Sequence, residues 1–197
     1  MVIDISSYNG RIDWAKVSKA GVTGVILRAT TQNGQLDTRF MENYNGILQN
    51  MNDNLTTLAV YKFAYTRDYA AAYCECRKCL NTLKAHGVRL ETLDCLYCDV
   101  EKWGGREYTK DEINAVFAGY KRACDEYGVR FGMYFNYNYA KNYVDAGVWS
   151  NERLWYARYN SFTGDISPFK IHLWQYTSKG KIDGITGDVD ISKGVNE

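Results

Sequence analysis

Five times between residues 2 and 146 a short apolar run gives way to a longer amphipathic stretch, and this alternation constrains the fold more than any other feature of the chain. The apolar runs, at 2–5, 24–29, 58–63, 95–99 and 130–135, have the length of buried strands. The stretches between them, at 14–20, 39–50, 69–85 and 110–127, have helical length and spacing. A helix between two strands carries the chain back to the edge where the first strand began, so the pattern predicts a parallel sheet. The punctuation agrees. Gly21, Gly87 and Gly128 stand where helices should end, each followed by Val and the next strand, and Thr109 precedes an acidic first turn at Asp111 and Glu112. After a weaker helix at 138–146 the rhythm changes. Strand-like runs at 154–157, 171–176 and 189–191 are then separated by segments rich in Gly, Ser, Thr and Asp. Five strand–helix units followed by three strands suit a closed barrel modified in its last third. With no repeat, low-complexity tract or linker, residues 1–197 read as one α/β domain.

Composition narrows the function. The formal net charge is +1, which lacks the dense cationic surface that a phosphate backbone requires, so no nucleic-acid partner is expected. No run approaches the roughly 18 apolar residues of a membrane span. Nor does a basic and apolar leader precede Val2, so a secretory signal is not expected. Without one, the six cysteines read as reduced thiols. Cys74, Cys76 and Cys79 fall on different faces of a helix, and Cys95 and Cys98 flank a strand without the Gly-bearing turn of a zinc knuckle, so no metal is expected. His86 reads as a helix-terminal residue and His172 as a core one. The unusual quantity is 17 tyrosines, whose flat apolar faces and hydroxyls suit sugar rings, although most tyrosines simply fill cores.

In parallel barrels reactive groups gather where the strands end. That rule selects Asp4 on the opening strand, Asp99 and Glu101 at the end of the fourth, and Asp190, with Asp188 before it, on the last. Residues two apart on a strand share a face, so Asp99 and Glu101 point together while Cys98 and Val100 point to the helices. Adjacent carboxyls raise each other's pKa, the condition that glycoside cleavage needs of its acid. The same acids also suit a divalent metal site or structural anchoring of loops, with Arg28 or Lys102 as partners; spacing alone leaves these open.

Taken together, the segments are familiar. Val2-Ile3-Asp4-Ile5-Ser6 with Asn9-Gly10 and Ile12-Asp13-Trp14, Val25-Ile26-Leu27-Arg28-Ala29, Asp37 with Phe40 and Asn43, Asp99-Val100-Glu101, Leu154-Trp155-Tyr156-Ala157-Arg158-Tyr159-Asn160, and Trp174-Gln175-Tyr176 with Gly184-Ile185 and Val189-Asp190 follow one another in order. The sequence resembles the muramidases of glycoside hydrolase family 25, bacterial and phage lysozymes, over nearly its whole length. The resemblance implies a modified (β/α)5(β)3 barrel that hydrolyses the β-1,4 bond from N-acetylmuramic acid to N-acetylglucosamine in peptidoglycan, without cofactor or metal. It implies Glu101 as general acid and base, Asp99 as the group that stabilises positive charge on the oxocarbenium or oxazolinium, and Asp4 and Asp190 as supporting acids. Tyr61, Tyr65, Tyr134 and Trp174 are the expected groove aromatics, and Gln175 an expected hydrogen-bonding partner of the sugar. The implied setting is an endolysin that reaches the wall after release from the cytoplasm or by another export route, with a separate wall-binding domain absent from this chain. The sequence departs from the family at Lys62, where many relatives carry His or another residue, and at Ser192, where they carry Asn; Lys62 is expected to add a local positive charge. A non-catalytic carbohydrate-binding module on the same barrel is the alternative.

Overall fold

The computed structural model describes residues 1–159 and 166–195. Eight strands close a barrel in chain order: β1 (Val2–Ile5), β2 (Gly24–Arg28), β3 (Thr57–Phe63), β4 (Leu96–Asp99), β5 (Phe131–Asn136), β6 (Arg153–Ala157), β7 (Ile171–Gly180) and β8 (Val189–Gly194). Neighbours from β1 to β7 pair in parallel, as the alternation of strand and helix requires. β8 runs antiparallel to both β7 and β1. The short segment after β7 has no crossover helix, and without a crossover the chain can only turn back beside the strand it has just made. β8 therefore begins at the end of the barrel where the other seven finish. Asp190, near its start, pairs in register with Asp4. Asp190, expected at this end from parallel strands alone, thus lies there on a strand of opposite direction.

The helices are α1 (Trp14–Val17), α2 (Phe40–Asn50), α3 (Tyr69–Ala85), α4 (Lys110–Tyr127), α5 (Tyr137–Asn142) and α6 (Ala146–Trp149). α1 stops three residues short of the expected end, and the single weak helix expected at 138–146 is two short ones. The second of these begins at a local cap: the Asp145 side chain accepts from Gly147 N and starts α6 afresh. α4 opens on a reciprocal cap in which the Thr109 hydroxyl accepts from Glu112 N and Glu112 accepts from Thr109 N, and it ends at Gly128 in the left-handed conformation. β7 and β8 run beyond their expected ends, to Gly180 and Gly194, because they pair with each other over that length, Gly180 with Val189 and Leu173 with Gly194.

Strand alternation divides the apolar residues between two layers. Outward residues such as Ile3, Val25, Leu58, Cys98 and Met133 pack beneath the helices. Inward residues Ile26, Ala59, Tyr97, Tyr134, Trp155 and Leu173 fill the barrel. Trp155 is the plug: its ring lies 4.4 Å from Tyr134, 5.4 Å from Tyr97 and 6.1 Å from Tyr61, and its Nε1 donates to the Ser192 hydroxyl at 2.9 Å across the interior.

α3 and α4 pack closely because Gly119 lacks a side chain. A Cβ there would meet the Tyr69 carbonyl oxygen at 2.6 Å and Tyr73 N at 2.8 Å. Alanine at this position improves intrinsic helix propensity by about 1 kcal/mol, but overpacking against rigid backbone costs about 1–3 kcal/mol. Gly119→Ala is expected to lower the urea midpoint of unfolding at unchanged slope; an unchanged or higher midpoint would disprove the tight contact.

Candidate active site

Above the Trp155 plug, the next inward positions meet in a cleft of about 350 Å³. β1 contributes Asp4, β4 Asp99, and β8 Asp190, while Glu101 stands two residues past Asp99 on the same face, just beyond the strand. Tyr61, Tyr65, Tyr134 and Gln175 line the same space, as does Tyr159. A second cavity, of about 600 Å³, adjoins it and is lined by Asn136, Tyr137, Asn138 and Arg158. Glu101, Tyr134 and Tyr159 border both, so the two form one groove with Glu101 at the junction.

The polar groups in the cleft are fixed before any ligand arrives. The Gln175 Oε1 accepts from the hydroxyls of Tyr134 at 2.9 Å and Tyr159 at 2.8 Å. Two donors on that oxygen set the orientation of the amide, and its Nε2 donates to Asp4 Oδ2 at 2.9 Å. Asp99 is only 6% exposed, and its Oδ1 is buried without a hydrogen-bond partner among the described residues. An acceptor left this way in a preformed cleft is where a ligand N–H or O–H would dock.

All four carboxyls hold their protons above the ordinary carboxylate range. Burial is the largest cause in each case. Asp190 adds to the rise of Asp4 and of Glu101, and Glu101 and Asp4 add to that of Asp99. Opposing this, the Gln175 amide favours the charged form of Asp4. Lys62 does the same for Asp99 from outside the cleft. It is fully buried on the outer face of β3, where its Nζ pairs with Glu75 Oε1 at 3.2 Å and donates to the Phe63 carbonyl at 2.6 Å. Its positive charge is thus local, as expected, but sits behind the wall of the cleft.

Other residues expected near the acids are held elsewhere. Trp174 faces outward from β7, its Nε1 donating to the Arg158 carbonyl at 2.8 Å; strand alternation sends Gln175 into the cleft and its neighbour out of it. Arg28 lines the cleft but pairs with Asp37 Oδ2 at 3.3 Å, and Asp188 is exposed and pairs with Lys181 at 2.6 Å. His172, expected in the core, is only partly buried and contacts Arg153. Asn160 lies outside the described residues. Tyr159 and Trp155 were missed as site residues although both belong to the Leu154–Tyr159 motif; an inward-pointing period of two along β6 would have marked Trp155.

The raised carboxyl pKa values have a consequence for stability. The folded state binds protons more tightly than the unfolded chain, so stability falls as pH rises from the ordinary carboxylate range through the folded-state values. At neutral pH, Asp99→Asn removes the cost of ionising a buried carboxyl and should raise the melting temperature relative to wild type. The gain should shrink in mildly acidic buffer, and calorimetry at two pH values checks it; equal melting temperatures at pH 7 would contradict the burial argument.

Comparison with known proteins agrees with this geometry. The sequence profile described as Glycosyl hydrolases family 25 matches residues 3–185. The modular autolysin LytC from Streptococcus pneumoniae superposes with a TM-score of 0.80 at 25% identity, over 97% of this chain and 45% of LytC, so the chain spans less than half of that protein. The Clostridium perfringens spore cortex lytic enzyme SleM gives a TM-score of 0.84 at 19% identity, over 99% of this chain and 67% of its own. The catalytic domain of endolysin ply40, from bacteriophage P40 of Listeria monocytogenes, gives 0.79 at 21% identity, over 98% and 92%. At these identities SleM and ply40 attest the fold. A protein of Escherichia coli O6:H1 described as uncharacterized, YegX, is 24% identical over 96% of this chain and 67% of its own length. With the profile covering nearly all of a closed barrel that gathers four acids at one end, the chain belongs to glycosyl hydrolases family 25.

Proposed function

We propose that the chain hydrolyses the β-1,4 bond between N-acetylmuramic acid and N-acetylglucosamine in peptidoglycan, with Glu101 as the proton donor. The observation that carries this reading is the position of Glu101 at the junction of two cavities, with a carboxyl that burial and Asp190 keep protonated beyond the usual range. A glycosidic oxygen lies between two sugars, so its proton donor must stand between two sugar sites. Family membership supports the reaction class, and a second LytC structure is described as a complex with a synthetic peptidoglycan ligand.

In this reading one sugar enters the acid-lined cavity and its neighbour occupies the cavity of Asn136, Tyr137 and Arg158. Glu101 donates to the oxygen that leaves, then takes a proton from the water that attacks. Asp99 stabilises the positive charge that develops at the anomeric carbon. Its unpartnered Oδ1 accepts the 2-acetamido N–H, which favours ionisation of Asp99 and turns the acetamido oxygen toward the anomeric carbon. Asp4, fixed by Gln175, and Asp190 keep the proton affinity of the cleft high, while Tyr61, Tyr65 and Tyr134 present ring faces and hydroxyls to the sugar. The wall is the place of action.

General acid catalysis contributes roughly 10²–10⁴-fold, so Glu101→Gln should reduce release of muramic-acid reducing ends from purified peptidoglycan by at least about 10² while remaining folded. A wild-type chain that binds the wall but releases no reducing ends makes the barrel a carbohydrate-binding module instead. Asp190→Asn removes a negative charge that holds the Glu101 proton, so the alkaline limb of the kcat/KM profile should move to lower pH. A limb that stays in place or moves upward would contradict the coupling of Asp190 to the Glu101 proton.

A further inference from the structure

Beyond β4 the chain must hold Glu101 still without the help of a strand. Within residues 100–109, Val100 N is tied to the Tyr134 carbonyl at 3.2 Å, and the remainder turns through Gly104 and Gly105, both at positive φ. Arg67, from the connection between β3 and α3, spans that segment. Its Nη2 donates to the carbonyl oxygens of Trp103 at 2.7 Å and Arg106 at 3.3 Å. Its Nη1 donates to the Glu107 carbonyl at 3.2 Å and pairs with Glu112 Oε2, on the first turn of α4, at 3.1 Å. The guanidinium plane also lies 4.2 Å from the centre of the Tyr108 ring, whose hydroxyl donates to the Ala64 carbonyl at 2.9 Å. One side chain, 19% exposed, therefore fixes three carbonyls and a ring of the same loop together with a carboxylate of the helix that follows it. Trp103, thus fixed, stands edge-on to Tyr65 at 5.6 Å, and Tyr65 lines the acid cleft.

We infer that Arg67 is a positioning residue: by clamping the carbonyls that follow Glu101, it holds the acid at the junction of the groove and Trp103 against its wall. The inference rests on the reading of Glu101 as proton donor. The planar fork of a guanidinium reaches several carbonyls at once, which the single ammonium of lysine does not. A loop released from the clamp lets the carboxyl drift and admits water around it. Drift of about 1 Å is worth up to about 10²-fold in rate, and hydration returns the Glu101 pKa toward the ordinary range.

The test compares wild type, Arg67→Ala and Arg67→Lys on solubilised peptidoglycan, with folding monitored by circular dichroism. Arg67→Ala should lose about 10–10² in kcat with little change in KM, and the alkaline limb of its pH profile should move to lower pH. Arg67→Lys keeps a positive charge near Glu112 and Tyr108 and therefore the fold, but should show the same losses in weaker form; it carries the test if the alanine variant does not fold. Arg106→Gln removes another partner of Glu112, at 2.6 Å, without touching the Trp103 carbonyl, and should leave the pH profile unchanged. Folded Arg67 variants with wild-type kcat and pH profile would overturn the positioning role alone. An inactive wild type would remove the hydrolase reading, and the positioning role with it.

Discussion

The indole of Trp155, laid across the barrel and hydrogen-bonded to Ser192, is the contact on which the rest of the site depends. It closes the interior with three tyrosine rings and gives the cleft an apolar floor. Carboxyls placed directly above such a floor cannot be fully hydrated, and desolvation is the leading cause of the raised pKa of all four acids. The same contact joins β6 to β8, the strand that runs against its neighbours, and so helps set the height at which Asp190 faces Asp4. Ser192 serves here as a buried acceptor within the barrel.

A second constraint is that a cluster of acids must be held by groups that do not neutralise it. Arg28, the cation inside the cleft, is committed to Asp37. Lys62 influences Asp99 only from behind β3, where it is bound to Glu75. That ion pair is itself anchored, since Glu75 also accepts from Tyr65 N, the Thr66 hydroxyl and the Tyr120 hydroxyl. Neutral donors do the work at close range: Gln175 orients toward Asp4 because two tyrosines occupy its carbonyl oxygen. The result is a site where protons are retained rather than exchanged for salt bridges, as a general acid requires.

The groove also shows a division of labour between rigid and clamped parts. Asp4, Asp99 and Asp190 sit on strands whose ladders fix them. Glu101 sits on a loop, and the loop is ordered by side chains from other elements, Arg67 chief among them.

Alternation of strand and helix, the helix caps and the spacing of Asp99 and Glu101 are local properties, and the sequence by itself determined them. Periodicity follows from backbone geometry alone, so five strand–helix units, the Thr109 and Gly128 caps and the shared face of the two acids were legible from residues a few positions apart. The closed barrel was legible from five strand–helix units followed by three strands, and the strand-end rule singled out Asp4 and Asp190 with the other acids; the resemblance added the (β/α)5(β)3 form and the roles of the acids. Tertiary structure alone decided the rest. The direction of β8 depends on there being no crossover helix before it, and the outward turn of Trp174 on the register of β7 against its neighbours. Burial of Lys62 behind Asp99, the orphaned oxygen of Asp99 and the grip of Arg67 on the loop after Glu101 join residues far apart in the chain. Such contacts leave no local pattern, because the physics that sets them, desolvation and hydrogen-bond geometry, acts between elements only once the barrel has closed.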